Sequence, residues 1–295
     1  MTKTVKVQFC GFWKGFDPTN NPTYNILKKR YDIKLTNDPD FLFYSNNGGA
    51  EKFKNCTKIF LTGENMIPNF NECDFGQAYA YIDFGTRYFR KPFIVNKSIN
   101  DRSKVSKDLL NRKFCNFVYS NSSWPGTKTR ENFCRLLQKY KNVDCPGKSL
   151  HNIDCPDLSP RFGNWYSSKL NFLKNYKFTI AFENSISDGY TTEKLAQPFY
   201  SLSIPIYWGN PLVTKDYNSK AFVNCNDYGN DFNAVIERVK ELDNDNEQYL
   251  SMLSEKPMQE NYDFDVSEKF ANWIYSIIER GNRPFDKGIC FNGKR

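Results

Sequence analysis

The sequence predicts an α/β protein of two domains, each with its own mainly parallel sheet. Three observations carry this expectation. The chain has 295 residues, about twice the length of a common single domain. Short apolar runs of strand length recur in two sets, with stretches of helical period between and after them. Hydrophobic residues make up 39% and aromatic residues 17% of the chain, enough for packed cores and unlike a disordered polar polymer.

In chain order, Val5, Val7 and Phe9 alternate as in a half-buried strand, and Gly11 ends it. Further strands are expected at 41–44, 58–61, 79–84 and 114–120. From 127 to 141 the period changes: Phe133, Leu136, Leu137 and Tyr140 fall on one face of a helix that carries Arg130 near its first turn. Residues 142–165 are rich in Pro, Gly and Asp and follow neither period, which reads as a domain connection or a long active-site loop. The predicted boundary therefore lies between 1–145 and 146–295. A helix around 166–176 follows, then strands at 178–182, 203–208 and 221–224. Val235, Ile236, Val239 and Leu242 form one later helical stripe. Val266, Phe270, Trp273, Ile274, Ile277 and Ile278 form another, which Gly281 is placed to terminate.

Charge and cysteine content narrow the function classes. Lys and Arg number 41 against 33 Asp and Glu, a formal +8. The basic residues are dispersed, which suits a phosphorylated small molecule and does not point to nucleic acid. With one His, nine Cys and no CxxC pair, no metal site is expected. Most cysteines, Cys290 among them, are expected as free buried thiols, with Cys145 and Cys155 the best disulfide candidates in an oxidising compartment. Neither GxGxxG nor GxxxxGK occurs, so a nucleotide must be held by another arrangement. No apolar run reaches the ~18 residues of a membrane span, and the start lacks a signal-peptide core, so no transmembrane segment is expected.

Residues 177–195 hold the most chemistry. A strand ending at Phe182 runs into Glu183 and Asn184, then through a turn containing Gly189 and Tyr190 to Thr191, Thr192, Glu193 and Lys194. Either Thr can cap a helix whose early amides attract phosphate, with Lys194 adding a cation and Glu193 able to accept from ribose hydroxyls. The plainer alternative is a capped surface helix with Glu183 in a salt bridge. Residues 59–75 deliver Thr62-Gly63-Glu64-Asn65 from a strand into a loop, where Glu64 could serve as a general base; a solvated carboxylate after a turn Gly is the alternative, and Asp74 and Asp83 compete for the role. Arg87 and Arg90 read either as ligand contacts or as structural ion pairs. Arg130 reads as a diphosphate clamp or an ordinary helical Arg. The single His151, in a polar loop, leaves no Ser-His hydrolase.

Two motif sets resemble one family. Phe182-Glu183-Asn184-Ser185, Gly189-Tyr190, Thr192-Glu193-Lys194 and Ile204-Pro205-Ile206-Tyr207-Trp208-Gly209 closely resemble the α-1,3-fucosyltransferases, glycosyltransferase family ten. Thr62-Gly63-Glu64-Asn65, Pro68-Asn69-Phe70, Cys73-Asp74, Arg87-Tyr88 and Arg90-Lys91-Pro92 look like that family's acceptor-domain motif. The resemblance implies a GT-B-like fold, two Rossmann-like domains facing a central cleft. Residues 1–145 would bind the acceptor, and 146–295 would bind GDP-fucose and carry the terminal helices.

It also implies an inverting transfer of L-fucose from GDP-β-L-fucose to the 3-hydroxyl of GlcNAc or Glc in a β-galactoside-containing glycan. Glu64 would be the general base. Arg130 and Lys194 would hold the diphosphate, Glu193 the ribose, and Asn184 and Tyr190 the nucleotide-sugar region. Glu183 would contact the fucose ring or hold the loop that does, and Asp74 and Arg87 would serve the substrate side with it. No metal or other cofactor is required, since cationic side chains stabilise the leaving GDP. The partners implied are GDP-fucose and an oligosaccharide or glycoconjugate acceptor.

The chain departs from the family at 75–84, FGQAYAYIDF, where relatives often carry an Asp, and at Gly85-Thr86, where an Asp commonly precedes the Arg-Tyr pair. Two rival functions stand beside this one: a glycosyltransferase using another sugar nucleotide, and a noncatalytic nucleotide- or carbohydrate-binding protein on the same fold. The expected location is cytoplasmic, or the Golgi lumen for a soluble domain freed from an anchor. Glycosylation triplets begin at Asn55, Asn96 and Asn121.

Overall fold

A computed structural model describes residues 2–99, 102–121, 125–159 and 163–287. Ser122, Ser123 and Cys290 lie outside the described residues. The alternation at the N-terminus gives strand β1 (Thr4–Cys10), with Val5, Val7 and Phe9 buried as the period requires. A short helix α1 (Pro22–Leu27) follows, started by Pro22 and by Asn21, whose Oδ1 accepts from the Tyr24 amide at 2.9 Å. Four strands come next: β2 (Asp32–Leu35), β3 (Phe41–Tyr44), β4 (Thr57–Leu61) and β5 (Phe75–Ala78). The short β6 (Tyr88–Arg90) closes this run.

The second run is β7 (Lys113–Asn116), α2 (Pro125–Gln138), β8 (Val143–Asp144), α3 (Trp165–Leu173), β9 (Tyr176–Phe182), α4 (Glu193–Tyr200), β10 (Ile204–Trp208) and β11 (Val223–Asn224). Helices α5 (Phe232–Asn244), α6 (Asn246–Ser254) and α7 (Val266–Arg280) complete the chain. Gly281 caps α7 at φ 81°, its amide donating to the Ile278 carbonyl, as expected.

The expected strand at 79–84 is absent, because β5 ends at Ala78. The aromatic residues that suggested it partner cations instead: the Arg90 guanidinium lies 3.7 Å from the Tyr81 ring centre, and Phe84 stacks on Phe70 beside Arg87.

All strand pairs in both sheets are parallel. The first sheet has the order β2-β1-β3-β4-β5-β6 and the second β11-β10-β9-β7-β8. In each, the order reverses beside the first strand of the run, between β1 and β3 and between β7 and β9. These are the switch points of doubly wound sheets, where the strands' carboxyl ends leave a crevice for ligands. The two Rossmann-like sheets agree with the predicted fold class.

The division differs from the expected 1–145 and 146–295. One unit is Met1–Lys91 with Asp263–Arg295, and the other is Pro92–Tyr262. The break at 142–165 lies inside the second unit, where Asn152 ties its own loop down: its Oδ1 accepts from the Cys145 amide at 2.7 Å and its Nδ2 donates to the Val143 carbonyl at 2.9 Å. Helix α7 belongs to the first unit because its stripe, Phe270, Trp273, Ile274, Ile277 and Ile278, packs on Val5, Val7, Phe43, Ile59 and Phe75. Each of its buried isoleucines contributes roughly 1.5–3 kcal/mol of apolar burial. In the second unit, α2, α5 and α6 cover one face of the sheet, and α3 and α4 contact β9.

Cys145 lies 3.8 Å, sulfur to sulfur, from Cys134 on α2, while Cys155 packs near Phe172 and Tyr176. The Cys145 and Cys155 pairing considered from sequence is therefore not the one the fold brings together. Among the described residues no helix is long and apolar enough to cross a membrane.

Candidate functional site

The second unit builds its site at the switch point between β7 and β9. Strand β9 is central and buried along its whole length, and it ends at Phe182 with Glu183 and Asn184 next in line. Glu183 is fully buried. Its Oε1 accepts from the Thr192 amide at 2.7 Å, its Oε2 accepts from the Thr192 hydroxyl at 2.8 Å, and the Lys194 ammonium pairs with Oε2 at 3.2 Å. Thr192 is the N-cap of α4, as anticipated. The carboxylate thus pins the start of α4 to the end of β9. Of the two places the resemblance leaves for Glu183, at the fucose ring or holding the loop beside it, this geometry fits the second: both oxygens are occupied and none of the residue is exposed. Its close neighbour is Gly209: a Cβ there would stand 2.6 Å from Glu183 Cγ, so only glycine lets the backbone after β10 pass.

Lys194 also pairs with Glu193 at 3.4 Å and keeps 14% of its side chain exposed. Burial alone would lower its ammonium, but Glu183 and then Glu193 overcome this and hold it well above the ordinary lysine range. Lys194 therefore stays cationic at every working pH. Burial likewise pushes the Glu183 carboxyl up, opposed first by Lys194.

Arg130 on α2 is 1% exposed. It reaches the same strand ends, where Nη1 donates to Asn184 Oδ1 at 3.0 Å and Nη2 donates to the Asn121 carbonyl. The guanidinium stacks 4.2 Å from the centre of the Tyr119 ring, and Nε has no hydrogen-bond partner among the described residues. A buried guanidinium with a free donor is arranged to receive an anion. Helix α2 approaches closely because of Gly126, where a Cβ would meet the Asn184 carbonyl oxygen at 2.1 Å. Tyr190 is buried in the loop before α4, its amide donating to the Ser187 carbonyl. The structure thus gathers Arg130, Asn184, Tyr190, Glu193 and Lys194 at one sheet edge.

Sequence reasoning missed the groups that hold this edge. Tyr119 follows β7; its hydroxyl accepts from the Phe182 amide at 2.7 Å and lies 3.0 Å from the Ile180 and Phe182 carbonyls. Asn210, fully buried after β10, accepts from the Gly189 amide at 2.8 Å and donates to Thr191 Oγ1 at 3.0 Å. A polar residue just beyond an apolar strand was the available signal for both.

In the first unit Glu64 follows β4 on an exposed loop. Its amide donates to Thr62 Oγ1 at 3.0 Å, and among the described residues its carboxylate has no partner. Thr62 is anchored in turn by Gln77, whose Nε2 donates to the Thr62 carbonyl at 3.1 Å. A carboxylate fixed at the backbone and free at its oxygens can take a proton from a ligand hydroxyl.

Asp74 and Arg87 are engaged by backbone groups of their own unit. Asp74 is fully buried: one oxygen accepts from the Lys58 amide at 2.7 Å, the other accepts from the Phe285 amide at 2.7 Å and pairs with Lys287 at 3.3 Å. Arg87 donates to the Asp74, Cys73 and Phe70 carbonyls at 2.8, 3.3 and 3.4 Å. Asp74 ties the loop before β5 to the chain beyond α7, and Arg87 holds the carbonyls of that loop with its guanidinium 4.3 Å from the Phe285 ring centre. His151 contacts Asp154 and the Gly147 carbonyl in its own loop. Among the described residues no group of His, Cys, Asp and Glu is arranged to hold a metal ion.

Comparison with known proteins agrees with this geometry. Residues 7–96 match the N-terminal domain of the α-(1,3)-fucosyltransferase FucT, and residues 110–273 match the C-terminal part of glycosyltransferase family 10, the fucosyltransferases. The α-(1,3)-fucosyltransferase FucT of Helicobacter pylori is 33% identical over 283 residues, covering 81% of this chain and 56% of that protein. The GDP-fucose protein O-fucosyltransferase 3 of Gallus gallus is 27% identical over 213 residues, covering 70% of this chain and 43% of its own. The chain spans about half the length of the curated relatives it matches. A solved structure of an α1,3-fucosyltransferase with GDP-fucose superposes with a TM-score of 0.77 at 27% identity, covering 98% of this chain and 94% of that one. The fold is GT-B, and with more than half of its length in the C-terminal match the chain belongs to glycosyltransferase family 10, the fucosyltransferases.

Proposed function

We propose that this protein transfers L-fucose from GDP-β-L-fucose to the 3-hydroxyl of GlcNAc, or of Glc, in a β-galactoside-containing glycan, with inversion at the anomeric carbon. The observation that carries the donor side is a pair of cations, Arg130 and Lys194, held at the switch point of a parallel sheet by Asn184 and Glu183. They receive the diphosphate, Glu193 accepts from the ribose, and Asn184 and Tyr190 line the nucleotide-sugar region. On the acceptor side Glu64 takes the proton of the attacking hydroxyl as the bond to GDP breaks. Two cations already fixed in place stabilise the charge that develops on the leaving diphosphate, so the reaction needs no metal.

The test is release of the nucleoside diphosphate, GDP or UDP, by the purified chain given GDP-fucose, other GDP-sugars or UDP-sugars, with either N-acetyllactosamine or no acceptor. Turnover of GDP-fucose that requires the acceptor and survives exhaustive chelation is expected. Preference for another sugar nucleotide would favour the first rival function, and GDP binding without turnover on any acceptor the noncatalytic one. Activity lost on chelation and restored only by Mn²⁺ or Mg²⁺ would contradict the metal-independent mechanism.

A further inference from the structure

Lys169 on α3 is a buried cation without an assigned role. It is 7% exposed, and among the described residues no ion pair or hydrogen bond reaches its ammonium. Its ammonium lies 4.9 Å from the centre of the Trp165 ring. A lysine this deeply placed is unusual unless its charge is compensated, and here the compensation comes first from Glu193 and then from Glu183. Lys169 also lines a small cavity with Tyr119, Thr179, Ile180, Lys194 and Pro198, directly behind the start of α4.

Charge counting shows what the ammonium does there. The cluster at the head of α4 contains two carboxylates, Glu183 and Glu193, and one paired cation, Lys194. With Arg130 at the same sheet edge counted as well, the group carries one net positive charge when Lys169 is protonated and none when it is not, beside the place proposed for a diphosphate. Resting on that proposed function, we infer that Lys169 is a positioning residue whose protonation sets the affinity of the site for a nucleoside diphosphate, acting through Glu193 and Lys194 rather than by touching the ligand.

The groups facing Lys169 support this division of labour. Burial would raise the Glu193 carboxyl, but Lys194 and then Lys169 overcome it and hold it below the ordinary range. Lys194 is held far above neutrality by its two carboxylates, and burial pushes the Tyr119 hydroxyl far up as well. Burial raises the Glu183 carboxyl, opposed first by Lys194, and burial also raises the Tyr166 hydroxyl on α3, with Tyr200 and Glu193 adding to it. Lys169 is the group that burial moves toward neutrality, down to about 8 against the pull of Glu193. An arriving anion raises it again, so binding takes up a proton. Affinity is then complete below the free-state value and falls as pH rises through it.

The experiment is calorimetric titration with GDP between pH 7 and 9.5, in two buffers of different ionisation enthalpy, on the wild-type chain, Lys169→Met and Lys169→Arg. The wild type should lose affinity by roughly tenfold across the interval, the effect of a one-unit shift in one coupled group, with net proton uptake at the alkaline end. Lys169→Met should bind weakly at pH 7 and show neither slope nor uptake. Lys169→Arg cannot deprotonate and should keep the neutral-pH affinity at pH 9.5. A purely structural lysine would change the melting temperature of Lys169→Met without moving the pH profile. A wild type that binds GDP with no alkaline slope, or a Lys169→Met variant that keeps the slope, overturns the inference. Failure of the wild type to bind GDP at pH 7 overturns the donor reading instead.

Discussion

Glu64→Gln is expected to lower kcat by roughly 10²–10⁴-fold, the range for a positioned acid or base group, while GDP affinity stays at the wild-type value. The two effects separate because Glu64 sits on a loop of the first unit, whereas all five residues proposed for the nucleotide belong to the second. The substitution is nearly isosteric, and the Glu64 carboxylate holds no described partner, so stability should not change. Initial rates at saturating donor and acceptor, beside GDP titrations, provide the check. A variant with near-wild-type kcat contradicts the base assignment, and neither Asp74 nor Glu183 could replace it, since backbone donors and lysines already occupy both.

Glu183→Ala is expected to damage stability and donor binding together. It removes the partner of a largely buried lysine, a change worth about 3 kcal/mol, the lower end for a broken buried pair, because Lys194 retains 14% exposure. The Thr192 amide and hydroxyl lose their acceptor at the same time, freeing the start of α4. Denaturant unfolding and GDP titration of the variant measure both effects. Glu183→Gln, which can still accept from Thr192, should lose less stability than Glu183→Ala. Equal stability of wild type and Glu183→Ala would show that this carboxylate does not anchor Lys194.

Much of this architecture is legible in the residues, and the gaps have physical causes. Period-two burial at Val5, Val7 and Phe9 and the 3.6-residue stripes of α2, α5 and α7 depend on local geometry, so each can be read directly. An apolar stripe does not say which sheet it covers. For that reason α7 could be seen as a helix but not as part of the first unit. Aromatic residues at 79–84 satisfied a strand pattern although they pack on arginines. At the site, the spacing from Glu183 to Thr192 and Lys194 was visible, but the occupation of both carboxylate oxygens was not. The backbone partners of Asp74 and Arg87, 13 to 211 positions away, could not be seen for the same reason: a charge held by distant backbone groups looks in sequence like one offered to a ligand.

Linkage analysis of the product tests the central claim most directly. The purified chain is given GDP-fucose and N-acetyllactosamine, and the isolated product is analysed for the position and anomeric configuration of the new bond. The account predicts α-L-fucose on the 3-hydroxyl of GlcNAc, formed with inversion from the β-linked donor. Fucose found only in α-1,2, α-1,4 or α-1,6 linkage, or retention of the β configuration, would contradict it.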